Sequence, residues 1–184
     1  MFQRSVFAAL GLIALTAAWA RAEDPGFFPR GTWAATGYGT YVKSFTGEEA
    51  KMGSGSVGIG YYVFDNVSIT AEFSGYYDSQ PGPDAQIYAG DLVLRGHLFH
   101  SGRFSFFGDA LAGISYADER VPASGTYYNY NLALGVGATF QLYDNLHLIG
   151  GVRYFHISNA HLEGPLRNPS INATQAYVGL LFKF

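Results

Sequence analysis

The stretch Tyr127 to Leu142 alternates with a period of two over its whole length. Tyr128, Tyr130, Leu132, Leu134, Val136, Ala138, Phe140 and Leu142 fall on one side. Tyr127, Asn129, Asn131, Ala133, Gly135, Gly137, Thr139 and Gln141 fall on the other. Side chains leave a strand on alternate faces, so this is a strand with one apolar face and one polar or small face. Strands in soluble proteins are mostly about 5–6 residues long. An apolar face this long asks for something thicker than an ordinary core to lie against.

The same alternation recurs. Val67, Ile69, Ala71, Phe73 and Tyr77 lie opposite Ser68, Thr70, Glu72, Ser74 and Tyr76. Leu92, Leu94 and Leu98 oppose Asp91, Arg95 and His97. Phe104, Phe106, Ala110, Ala112 and Ile114 oppose Ser105, Asp109, Gly113 and Ser115. Ala176, Val178, Leu180, Phe182 and Phe184 oppose Gln175, Tyr177, Gly179 and Lys183. With strands near Gly31 to Val42, near Gly53 to Phe64 and from Leu146 to Ser158, the predicted total is eight. That is the smallest single-chain outer-membrane barrel, all-β and antiparallel. Its interior is filled by side chains. The polar faces supply Glu72, Asp91, Arg95, Asp109 and Arg153, opposite charges able to pair inside. A soluble lipocalin-like barrel turns its apolar face inward and carries many charges outside; here the polar faces hold few.

Connection lengths alternate too. Asp65-Asn66, His100-Ser101-Gly102 and Tyr143-Asp144-Asn145 read as tight turns. Ser44 to Met52, Asp78 to Asp84, Asp118 to Ser124 and Asn159 to Asn172 read as longer loops. Short turns belong to the periplasmic side and long loops to the outside. An even strand number leaves both termini periplasmic, and the final Phe184 resembles the terminal signal of outer-membrane barrels. At the other end Arg4, the apolar run Val6 to Ala18 and the small residues of Ala20-Arg21-Ala22 predict a secretory signal over residues 1–22. Residues 23–184 are then a single barrel domain. The chain has 24 Gly, 14 Tyr and 15 Phe, which suits such a barrel, and no Cys, which removes thiol and disulfide chemistry. A net charge of −3 without a basic cluster argues against nucleic-acid binding. The scattered His residues give no metal-ligand spacing.

The feature that points to chemistry is Arg153-Tyr154-Phe155-His156-Ile157-Ser158-Asn159-Ala160. His156 and Ser158 leave the same face of their strand. They share the parity of Leu146, Leu148, Val152 and Tyr154, whereas His147 and Arg153 have the other. The pair therefore points to lipid, where polar groups are costly and ask for a functional reason. Starting from the turn at Asn145, His156 comes about one membrane-spanning strand length later. That is the outer rim, beside the lipopolysaccharide of the outer leaflet. His97 and His147 read as interior or turn residues, and His100 and His161 as turn and loop residues.

His156-x-Ser158-Asn159-Ala160 on the penultimate strand resembles the lipid A 3-O-deacylase (PagL) family, in which a Ser–His–Glu triad faces the membrane. The resemblance implies an outer-membrane ester hydrolase that removes an acyl chain from lipid A. His156 would be general base and Ser158 nucleophile, with Asn159 and the backbone at Ala160 at the oxyanion. The third member departs from the pattern. Aligning Asn168-Pro169-Ser170-Ile171 with the family's loop puts Asn172 at the Glu position, and Glu163 is a second candidate in the same loop. Asn orients an imidazole by hydrogen bonding but cannot offset its charge. The resemblance further implies no cofactor, lipid A or lipopolysaccharide as partner and lipopolysaccharide modification as the role, and leaves a homodimer open. The alternative is a non-enzymatic structural or binding barrel of the small OmpA/OmpW-like type, which has no need to display a His–Ser pair to lipid.

Overall fold

The computed structural model describes residues 27–47, 49–162, 164 and 168–184. The predicted signal segment and Glu163 lie outside them. Eight antiparallel strands form one closed barrel in chain order: β1 Trp33–Gly47, β2 Lys51–Phe64, β3 Val67–Ser79, β4 Ala85–Ser101, β5 Phe104–Val121, β6 Thr126–Gln141, β7 Leu146–Ser158 and β8 Ser170–Lys183. β1 pairs with β8 and closes the wall, so no strand edge is left unpaired, which is what permits a sheet in a hydrocarbon environment.

The alternation maps onto the two faces of the wall. Val57, Ile59, Leu92, Ile114, Val136 and Val178 all stand exposed on the outside, an apolar band that only lipid can cover favourably. Strands run further than the pattern suggested at their outer ends. β1 continues to Gly47 and β5 to Val121, so parts of the expected loops are strand. The hairpin ladder pays no heed to side-chain polarity once it stands above the membrane. Ala110 and Val67 are exceptions to the outward set: both are buried, Val67 at the start of β3 together with Ser68. A register shift between Tyr62 and Phe64, beside the Asp65-Asn66 turn, disrupts alternation there.

The interior has three layers. Between two apolar clusters lie the charges predicted to pair. Asp109 accepts from Arg95 at 3.1 Å and from Arg153 at 2.8 Å, and Tyr177 adds its hydroxyl at 3.0 Å. Glu72 accepts the Tyr38 hydroxyl and Asn131 donates to Asp91 at 3.0 Å. Glycine makes room for the crossing: a Cβ on Gly135 would lie 2.5 Å from Cγ of Arg153. On the extracellular side Met52, Tyr76, Ile87, Phe155, Ile157 and Ile171 pack together. On the periplasmic side the cluster includes Phe28, from the segment before β1, which is fully buried. Its N–H donates to Oδ1 of Asn66 and its carbonyl accepts the Asn66 N–H, and its ring stacks on Tyr62 at 5.0 Å. Phe28 thus packs at the periplasmic end.

Candidate active site

On β7 the exposed residues Leu148, Val152 and Tyr154 alternate with Ile149, Arg153, Phe155 and Ile157, all of which are buried. The outward parity therefore carries His156 and Ser158, as the sequence predicts. Opposite them on β8 the register sets Asn172 against His156 and Ser170 against Ser158.

Three side chains meet there. Oγ of Ser158 lies 3.0 Å from Nε2 of His156. Nδ1 of the same ring lies 2.8 Å from Oδ1 of Asn172. An amide oxygen only accepts, so this contact requires the hydrogen on Nδ1 and leaves the Nε2 lone pair facing the serine. That is the tautomer in which an imidazole can take a proton from a hydroxyl. The Tyr154 hydroxyl donates to the same Oδ1 at 2.5 Å, and Phe45 of β1 leans on the Tyr154 ring at 5.9 Å between centroids.

His156 is half-buried, whereas Ser158 keeps only 9% of its surface exposed, more enclosed than a residue open to lipid. The chain turns sharply just beyond it. Ala160 and His161 are both left-handed, with φ of 52° and 67°. Asn159 is buried, with Oδ1 accepting the His161 N–H at 3.1 Å and its carbonyl accepting that of Leu162 at 3.1 Å. Asn159 therefore holds the turn through its side-chain oxygen, and Ala160 stands exposed beside it. His161 is in the loop, against Asn168.

The family model for lipid A 3-O-deacylase (PagL) matches residues 29–180. The chain belongs to the lipid A 3-O-deacylase (PagL) family. The PagL match covers all eight strands but for the last residues of β8. No curated protein matches the chain. Among solved structures, the outer membrane enzyme PagL is similar at 16% identity and a TM-score of 0.59, covering 78% of this chain and 97% of its own. Neisserial surface protein A has 17% identity and a TM-score of 0.63, covering 83% and 96%. The outer membrane protein OprG from Pseudomonas aeruginosa has 14% and 0.58, covering 88% and 99%. These likenesses carry the barrel fold, and the chemistry has to be argued from side chains. With the PagL family goes the location, the bacterial outer membrane, and a lipid A deacylase-like character. The homodimer left open by the sequence gains no support from them.

A second Ser–His contact lies inside the barrel. Nδ1 of His97 is 2.7 Å from Oγ of Ser105, a cross-strand partner that spacing along one strand does not reveal. Both residues are buried, and the Phe28 ring covers His97 at 4.2 Å. No lipid reaches that pair, so it serves packing. The His156–Ser158 pair is on the other face of the wall, with the lipid-side residues of β7.

Proposed function

We propose that the protein hydrolyses an ester-linked acyl chain of lipid A, with Ser158 as nucleophile, His156 as general base and Asn172 as the residue that orients His156. The observation that supports this reading is the unbroken hydrogen-bond chain from Ser158 Oγ through His156 to Asn172 Oδ1, on the lipid-facing side of the wall.

Lipid A enters sideways from the outer leaflet with its ester carbonyl toward Ser158. As Oγ bonds to the carbonyl carbon, its proton passes to Nε2 of His156 and the carbonyl electrons move to oxygen. Backbone N–H groups around Asn159 and Ala160 lie on the chain immediately after the nucleophile and serve the oxyanion. Collapse expels the sugar hydroxyl, which leaves with the proton from Nε2. Water, activated by the same nitrogen, then releases the fatty acid and restores Ser158. The steps require no cofactor.

Asn172 makes the relay neutral. It selects the working tautomer but lends no negative charge to the imidazolium. In a serine protease, the change from acid to Asn costs about 10⁴ in rate when the tautomer goes wrong. Here the amide oxygen faces Nδ1, so the tautomer is right and only the charge is missing. Mass spectrometry of lipid A from cells expressing the wild-type protein or Ser158→Ala tests the reading. A species lighter by one acyl chain is expected with the first and not with the second. Identical lipid A in both, with both barrels folded, overturns it in favour of a non-enzymatic barrel.

A further inference from the structure

We infer that Tyr154 is a positioning residue, whose hydroxyl fixes the orientation of the Asn172 amide and through it the tautomer of His156. The inference rests on the catalytic reading above and adds a fourth member to it.

An amide has two faces of nearly equal shape and opposite hydrogen-bonding sense. With Oδ1 toward His156, the ring carries its hydrogen on Nδ1 and its lone pair faces Ser158. With the amide turned over, Nδ2 donates to Nδ1, the ring hydrogen moves to Nε2, and no lone pair is left for the serine proton. A carboxylate has no such choice, because its two oxygens are alike. A chain with Asn at this position therefore needs something that a chain with Glu does not: a group that decides which end of the amide faces the ring.

Tyr154 is placed to decide it. It sits two residues before His156 on the same outward face of β7 and donates to the same Oδ1 that accepts from Nδ1. Two donors converging on one atom make that atom the oxygen. Turned over, the amide would offer the phenol hydrogen no acceptor, on a wall that faces acyl chains, where an unpaired donor is penalised. The Phe45 ring lies against the phenol ring from the β1 side. Removing only the hydroxyl, in Tyr154→Phe, keeps the ring and its packing.

The test compares Tyr154→Phe in two backgrounds, wild type and Asn172→Asp, in refolded barrels with lipid A as substrate. In the Asn background kcat should fall about tenfold with KM unchanged, because a share of the molecules holds the wrong tautomer. In the Asp background the factor lost should shrink below about twofold, because orientation no longer has to be chosen. An equal loss in both backgrounds, or none in either, overturns the proposal. Nitrogen-15 spectra of His156 give a readout that needs no activity. The wild type should show Nδ1 protonated and Nε2 bare, and Tyr154→Phe a mixture of both tautomers. An unchanged spectrum overturns the role of Tyr154 even if the protein proves inactive, whereas inactivity of the wild type with the expected spectral change overturns only the catalytic reading.

Discussion

Arg153 and His156 stand three residues apart on β7 and on opposite sides of the barrel wall. The guanidinium is buried against Asp109 at 2.8 Å, while the imidazole faces outward and meets Ser158 and Asn172. One strand therefore carries a structural charge network and a candidate reactive site back to back, separated only by the thickness of the sheet. The arrangement depends on parity, and a slip of one residue would exchange the two.

That separation can be measured. Single cysteines at Val152 and Arg153, labelled with a fluorophore and exposed to a quencher confined to lipid, should differ. The label at 152 should be quenched and the label at 153 protected, since the parent residues are 50% and 2% exposed. The reverse pattern would move the Ser158–His156 pair indoors and remove the lipid substrate from its reach.

The charge network should govern stability and leave chemistry alone. Asp109 is the shared acceptor of two buried arginines. Asp109→Asn leaves both charges uncompensated, which in buried pairs costs about 3–5 kcal/mol. The urea midpoint for folding into detergent or vesicles should fall accordingly, while the fraction that does fold keeps its outward site. A midpoint equal to the wild type would mean that Glu72 and Asp91 compensate the arginines instead.

Glycine positions give a sharper test of packing. A Cβ at Gly179 would lie 2.1 Å from the Gly37 carbonyl oxygen and 2.4 Å from Cβ of Tyr38, whereas one at Gly75 would meet nothing within 4 Å. Gly179→Ala should therefore destabilise the barrel by about 1–3 kcal/mol, the range for overpacking, and Gly75→Ala should not. Heat-modifiable gel mobility after refolding separates the two.

Much of this was legible because a barrel wall has a strict period. Eight segments, the inward charges and the outward His156–Ser158 pair follow from counting along strands that alternate, whereas Asn172 comes from the resemblance to the family's loop, with Glu163 beside it. What escaped the sequence depends on distances between strands or on residues with no periodic role. Phe28 precedes the first strand and packs at the periplasmic end through Asn66, a contact 38 residues away in the β2–β3 turn. His97 finds Ser105 only across the β4–β5 ladder. Tyr154 reads as one more aromatic of an interfacial girdle until its hydroxyl is seen on Asn172. The turn just beyond Ser158 uses two left-handed residues, Ala160 and His161, that are not glycine and so carry no sequence signal.

The third member of the relay is where a substitution should raise activity. Asn172 faces His156 across the ladder and already holds Nδ1 at 2.8 Å. Asn172→Asp keeps the shape and adds the charge that a developing imidazolium lacks. Asn172→Glu adds the same charge with one more methylene, matching the residue type the family carries there. Either should raise kcat, by less than the about 10⁴ that a serine triad loses when Asn also imposes the wrong tautomer, because here the tautomer is already right. Asn172→Ala removes the acceptor and frees the tautomer. A loss of roughly 10- to 100-fold is expected, by comparison with the scale on which hydrogen-bond partners that orient a metal-bound histidine act. The competing candidate is Glu163, in the loop between β7 and β8. If Glu163 holds the ring, Glu163→Gln will be the damaging change, Asn172→Ala nearly silent, and Asn172→Asp without gain. Deacylation rates of these variants in one lipid A assay separate the cases. If none of them alters the rate, Ser158 and His156 work as a dyad.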